Sequence, residues 1–351
     1  MIGDGGAGGV PGFLFGEEAE TKAKIPGLVS LVKPMRGGMY EHWDEAEALW
    51  RHLIVEGAKA ELATTPLLMT ESLASSSAGD HRDKIAQLCF EGIQVPSLFL
   101  ASAASCALAN AGHSTGIVID VGSTTCSVAA VYESHILLDT ARKIGFGGDD
   151  ITDLLVQLLL DRGVQIAPDE RAIVDRFKQE WCYVAPDVAS EASKREFEAS
   201  FSKPLAPKGQ PASSKRLESV AMKNERFEVP EALLSPKLVG QDSTGLAQAV
   251  VDCVLKCPDD LRASICEHVI LTGGSAGFDG LTDRLSAEIN ASLSRSGNRL
   301  PPVTVTRPLG VHHAWGGASV FATTPGFRSS SVTRSLYEEY GPHIVRRMCI
   351  Q

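Results

Sequence analysis

At 351 residues the chain exceeds one typical domain, so two lobes or domains are expected. Hydrophobic residues make up 44% and charged residues 22%, the balance of a globular chain with ample core. A net charge of −10 and an isoelectric point near 5.4 argue against a general binder of nucleic acid or anionic membrane, and no apolar run reaches the ~18–20 residues that span a bilayer.

The start, M-I-G-D-G-G-A-G-G, lacks the charged and apolar regions of a secretory leader. Residues 1–12 are glycine-rich, but only Met1 and Ile2 precede the glycines, so a flexible tail is expected rather than a phosphate loop set behind a strand. Phe13 to Lys33 reads as a mixed segment ending in the strand L-V-S-L-V-K. Trp43, Leu49, Trp50, Leu53 and Ile54 recur at helical spacing, with Asp44 and Glu45 near the helix start. A buried strand is predicted over 66–71, an amphipathic helix over 82–90, a strand over 96–100 and an Ala-rich helix over 101–111.

Residues 115–132 read T-G-I-V-I-D-V-G-S-T-T-C-S-V-A-A-V-Y. Ile117, Val118 and Ile119 are an apolar β-branched run, Asp120 closes it, and Val128 to Tyr132 starts a second strand. Such a hairpin suits polyphosphate. Gly122 permits close backbone approach, the hydroxyls of Ser123 and Thr124 add donors, and Asp120 can hold a hydrated Mg²⁺. The same residues also suit an ordinary hairpin with a polar turn.

Beyond the hairpin, Gly145 to Asp150 precede a helix over 151–162 that Gly163 is placed to stop, and a further helix covers 171–183. Residues 187–224, rich in Ser, Ala, Lys and Pro, read as a mobile insertion. Helices are predicted over 246–256 and 261–267, then a strand from His268 that ends at Gly273-Gly274-Ser275, a helix over 280–293, and a strand over 303–305. The last core helix opens with A-W-G-G-A-S at 314–319. Eight cysteines lie scattered without a C-x-x-C pair, and Cys253 and Cys257 have no second ligand pair at zinc spacing. Buried, reduced thiols of a cytosolic or nuclear protein are the expectation.

Taken together, these segments resemble actin and the actin-related proteins, and the resemblance runs over nearly the whole chain. Its markers follow the family order: F-G-E-E-A-E-T-K (15–22), E-H-W-D-E-A-E-A-L-W-R-H (41–52), L-L-M-T-E (67–71) and S-T-G-I-V-I-D-V-G (114–122). Next come C-Y-V-A-P-D (182–187), N-E-R-F-E-V-P-E-A-L (224–233), L-T-G-G-S-A-G-F-D-G (271–280), W-G-G-A-S (315–319) and Y-G-P-H-I-V-R-R-M-C (340–349). The resemblance implies an α/β, actin-like two-lobed fold, shared with the chaperone and sugar-kinase ATPase superfold, with mixed sheets flanked by helices. It implies a small subdomain remnant at 1–33, a first-lobe core from 34–110 and 312–351, a second-lobe core from 111–146 and 236–311, and an outer subdomain at 147–235.

By the same resemblance, Asp120, Gly122, Ser123 and Thr124 form the second of two phosphate hairpins, with Asp120 on the metal side. Lys178 falls where the family contacts the nucleotide's sugar and base, and Gly273, Gly274, Ser275 and Phe278 fall on the adenosine loop. The match begins beyond the family's first phosphate hairpin, so half of the phosphate clamp is expected to be absent, through truncation or loss. Positions that serve hydrolysis in the family hold Ala103, Ser123 and Ser127; Gln179 replaces a ribose-contacting glutamate, and Gly310-Val311 replaces a basic residue near the adenine. No catalytic residue is assigned, because positioning of water is the usual protein contribution to phosphoryl hydrolysis.

The expectation is an actin-related structural subunit of a cytoskeletal or chromatin-associated assembly, with ATP or ADP and Mg²⁺ bound weakly or not at all. Its partners are other protein subunits, actin or actin-related proteins among them, with no direct nucleic-acid or membrane contact. The expected location is cytoplasmic and cytoskeletal, with the nucleus as second choice. A filament-forming actin, or an ATPase of the same superfold, is the alternative.

Overall fold

The computed structural model describes residues 12–23, 28–167, 170–192, 222–296, 300–308, 310 and 312–349. They divide into two units, drawn from Met1–Cys106 with Ala314–Gln351 and from Ala107–His313.

The first unit begins with α1 (Gly16–Ala23) and a small hairpin, β1 (Met35–Arg36) with β2 (Met39–Tyr40), followed by α2 (Trp43–His52). The strand expected over 28–33 does not form. Leu28, Leu31 and Val32 are exposed, and β-branched propensity without a partner strand or a face to bury on makes no ladder. Then come β3 (Leu67–Glu71), α3 (Leu73–Ser76), α4 (Gly79–Gln87), β4 (Ser97–Ser102) and the start of α5 (Ala103–Asn110). Contrary to expectation, β3 is half-buried at Leu67, Leu68 and Met69 and exposed at Thr70, with only Glu71 buried, because among the described residues it pairs on one side alone, in parallel with β4.

In the second unit, β5 (Gly116–Val121), β6 (Cys126–Tyr132), β7 (His135–Ile136) and β8 (Arg142–Ile144) lead to α6 (Gly148–Asp161) and α7 (Arg171–Trp181). The start of α6 lies three residues before the expected Ile151. Asp150, at the third helical position, turns its Oδ2 back to accept the Gly147 N–H at 2.8 Å, which caps the helix at the glycines. Gly163 stops it as expected, at φ +88°. Part of the expected 187–224 insertion is helical: α8 (Val188–Ala192) starts where Asp187 Oδ2 accepts the Ser190 N–H. Residues 193–221 lie outside the described residues, as do 1–11.

The unit continues through α9 (Glu225–Glu228), α10 (Leu246–Lys256), α11 (Arg262–Cys266), β9 (Val269–Thr272), α12 (Leu281–Arg295) and β10 (Val305–Thr306). The strand expected from Val303 is shorter because Asn290 takes the ladder's place. Its amide side chain bonds both the Val303 N–H (2.8 Å) and the Val303 carbonyl (2.7 Å). The chain then passes through α13 (His313–Ala322) back into the first unit, which ends with α14 (Pro325–Ser330), β11 (Val332–Thr333), α15 (Arg334–Tyr340) and α16 (Ile344–Met348).

The sheet of the second unit runs β10-β9-β5-β6-β7, with β8 also on β6. Pairing is antiparallel between β5 and β6 and parallel between β5 and β9, so the sheet is mixed. Ile117, Ile119 and Val121 project from β5 into a core closed by Val250 and Val254 of α10, Leu285 and Ile289 of α12, and Leu155 and Leu159 of α6. Each such side chain contributes about 1.5–3 kcal/mol on burial. The first unit carries the sheet β11-β4-β3 over its own core of Trp50, Ile85, Phe90, Leu98, Leu100 and Val345. All eight cysteines are buried and unpaired, as expected.

Candidate functional site

The second unit brings most of the expected residues to one end of its two central strands. Asp120 sits near the end of β5, opposite Ser127 of β6 on one side and Thr272 of β9 on the other. Its carboxyl makes no hydrogen bond or ion pair among the described residues, and burial raises its pKa to about 6. The turn that follows is closed by the Gly122 N–H donating to the Thr125 carbonyl at 3.0 Å. That donor is therefore spent. The amides and hydroxyls of Ser123 and Thr124 are unengaged among the described residues, and Ser123 is exposed. The carbonyls of Gly122 and Ser123 accept the N–H groups of Gly148 (2.9 Å) and Asp149 (2.6 Å), so the start of α6 is seated on the turn itself.

Beside Asp120, β9 ends in two glycines with different duties. Gly273 has φ +98°, and a Cβ there would lie 2.4 Å from the Val121 carbonyl oxygen and 2.6 Å from Asp120 Oδ1. Only a glycine fits. A Cβ on Gly274 would meet nothing within 4 Å, so this is open backbone. Ser275 turns toward α6, where its Oγ lies 2.1 Å from the place a Cβ on Gly148 would take. Phe278 is 6% exposed and belongs to the core, so its ring is no wall of an open site.

Lys178 of α7 is 4% exposed, and its ammonium has no donor to spare. It donates to the Gly148 carbonyl (2.8 Å), Thr152 Oγ1 (2.8 Å) and Asp175 Oδ1 (2.6 Å). Asp175 also accepts from the Thr152 hydroxyl (2.8 Å) and from Gln179 Nε2 (2.7 Å). Burial works to raise the Asp175 pKa, but the Lys178 and Thr152 bonds outweigh it and hold the carboxyl below its ordinary value. Asp175, Thr152 and Gly148 went unnoticed in the sequence, although an aspartate three residues before a helical lysine is a readable pairing signal.

A nucleotide with its cation fits this geometry in part. The Ser123–Thr124 donors and Asp120 suit a polyphosphate with hydrated Mg²⁺, a cation that takes one or two carboxylates and completes its shell with water and phosphate oxygens. Among the described residues no group of three or more His, Cys, Asp or Glu could hold a metal alone. Lys178, expected on the sugar and base, and Phe278, expected on the adenosine loop, are both engaged by protein neighbours. Of the remaining positions, Ala103 opens α5 in the first unit and Val311 lies outside the described residues.

Mixed sheets flanked by helices, with an Asp-Val-Gly-Ser-Thr hairpin closing a central strand, are the features of an actin-type α/β protein. A family model described as Actin matches residues 8–350, and the chain belongs to the actin family. It is 30% identical over 337 residues to "Actin-like protein 9" of Mus musculus, covering 96% of this chain and 77% of that protein. Against "Actin-like protein 9" of Homo sapiens the identity is 30% over 328 residues, 93% of this chain and 76% of the relative. The Bos taurus protein of that name is 29% identical over 331 residues, 94% and 76% respectively. This is a divergent actin-related protein with the α/β fold of its family. No helix among the described residues is long and apolar enough to cross a membrane.

Proposed function

We propose that this actin-family protein is a structural subunit of a multiprotein assembly, that it holds Mg²⁺ with ATP or ADP weakly, and that it does not turn ATP over. Other protein subunits, actin or actin-related proteins among them, are its partners, without direct contact to nucleic acid or membrane. Its place is the cytoplasm and cytoskeleton, the nucleus being the second choice. One observation carries the reading: an uncommitted Asp120 and hydroxyl turn stand beside a lysine whose donors are all spent. Charge-assisted hydrogen bonds to phosphate contribute about 1.5–3 kcal/mol each, so a turn with few of them grips loosely. Opposite Asp120 stands Ser127, a side chain with neither the length nor the basicity to hold an attacking water.

The test is calorimetry with Mg·ATP and phosphate release at saturating nucleotide. Weak binding is expected, with no release above background, and Asp120→Ala should leave partner binding unchanged. Turnover abolished by Asp120→Ala would overturn the reading in favour of a working ATPase.

A further inference from the structure

Lys178 is a buried cation close to Gly148, the glycine that Ser275 also crowds, and it is paired with a neighbour on its own helix. We infer that Asp175 is a specificity-determining lock, which keeps the Lys178 ammonium on protein acceptors and so makes the site indifferent to the nucleoside part of a ligand. The inference rests on the weak-nucleotide reading above and names the residue responsible for part of it.

Three observations carry it. The ammonium of Lys178 has three protons and three acceptors, the Gly148 carbonyl, Thr152 Oγ1 and Asp175 Oδ1, so a ligand hydroxyl or ring nitrogen would have to displace one of them. The shortest of these bonds, 2.6 Å, is to the only acceptor with a full negative charge. Asp175 is itself braced by the Thr152 hydroxyl and Gln179, which fix its carboxylate in the receiving position.

The assembly also lies next to the site. A Cβ on Gly148 would be 3.5 Å from Lys178 Nζ and 2.1 Å from Ser275 Oγ, so lysine and serine flank the same glycine. Released from Asp175, the ammonium lies close to Ser275 across Gly148. Held by Asp175, it serves as a strut that pins α7 to the first turn of α6, and through Gly148 to the turn after Asp120.

The experiment compares Mg·ATP with Mg·tripolyphosphate, by calorimetry on the full chain, in wild type, Asp175→Asn and Asp175→Ala. Wild type should bind the two ligands about equally. Asp175→Asn keeps the shape and removes the charge. It should bind Mg·ATP roughly tenfold or more tighter than wild type, with a smaller gain for tripolyphosphate. The alanine variant should follow it, and thermal melts of both show whether the unit stays folded; if one does not, the other carries the comparison. Equal gains for the two ligands would mean that a charge was removed and no nucleoside contact was opened, and would overturn the inference. So would variants that bind Mg·ATP no better than wild type. Wild type that binds Mg·ATP much more tightly than Mg·tripolyphosphate would overturn the inference, whereas ATP turnover in wild type, with equal binding of the two ligands, would strike only the structural-subunit reading.

Discussion

Gly273→Ala tests whether the end of β9 is built by steric need. The residue has φ +98° and ψ 160°, a region open almost only to glycine, and holding alanine there costs about 1–3 kcal/mol. The added methyl would also lie 2.4 Å from the Val121 carbonyl oxygen and 2.6 Å from Asp120 Oδ1. Val121 is backbone at the end of β5, the central strand of the mixed sheet, so relief requires shifting β5 or β9, which adds about 1–3 kcal/mol as overpacking does in a core. A loss of about 2–6 kcal/mol is expected, a large part of a typical stability of about 5–15 kcal/mol. Gly274→Ala is the matched control: its methyl meets nothing within 4 Å, and the expected loss is below about 1 kcal/mol. Urea unfolding followed by circular dichroism reads both. Equal losses in the two variants, or a loss under about 1 kcal/mol for Gly273→Ala, would refute the argument.

Further outcomes concern the first unit and the thiols. Arg82 lies 3.1 Å from Glu71 and donates to the Cys349 carbonyl at 2.6 Å, all of it buried, so Arg82→Met should cost about 3–5 kcal/mol in urea unfolding. Glu71→Leu with Arg82→Met should lose less than Arg82→Met alone; an equal or larger loss would mean the pairing is not what the arginine supplies. Burial holds His81 below the ordinary imidazole value of 6.5, and its Nε2 accepts the Tyr40 N–H at 2.8 Å, a bond open only to the unprotonated nitrogen. Because the folded value is depressed, this contribution is full above pH 6.5 and lost as pH falls through the folded value. His81→Gln should flatten the fall in melting temperature on that side, and an unchanged slope would assign it to other groups. Burial of all eight cysteines predicts that a thiol reagent titrates far fewer in the native chain than in denaturant, and one fast-reacting native thiol would contradict it.

Local patterns made the second unit readable. The run Ile117 to Ile119 was legible as a strand because it is apolar, β-branched and buried on both faces, and α10 because Leu246, Val250 and Val254 repeat at helical spacing. Gly163 was legible as a stop because an interrupted periodicity ends at a residue that tolerates positive φ. The errors came where a distant side chain replaced local propensity. Asn290 shortens β10 from thirteen residues away, and residues 28–33 have strand-forming side chains with no strand to join. At the site, sequence placed Asp120, Gly122 and the Gly273-Gly274 pair at strand ends, and the family resemblance brought those two ends together. It did not reveal the fate of Lys178, whose acceptors on Thr152 and Gly148 lie 26 and 30 residues away in the chain.

That division bears on what the surviving motif means. Gly273 is demanded by Val121 and Asp120, and Gly148 is crowded by the Ser275 hydroxyl, which are protein neighbours in each case. The Gly122 N–H is taken by Thr125, and the first amides of α6 are taken by the turn's carbonyls. A hairpin held in this way has its geometry set by backbone hydrogen bonds and close packing between protein neighbours. The glycines therefore report the fold. Ligand chemistry has to be judged on the groups that protein contacts leave uncommitted, and these are Asp120, the donors of Ser123 and Thr124, and the open backbone at Gly274. Those groups suit a hydrated cation and a phosphate chain, while Lys178 and Phe278 are engaged by protein neighbours. Affinity without nucleoside preference is what the proposed Asp175 lock predicts, and the paired titration of Mg·ATP and Mg·tripolyphosphate measures it directly.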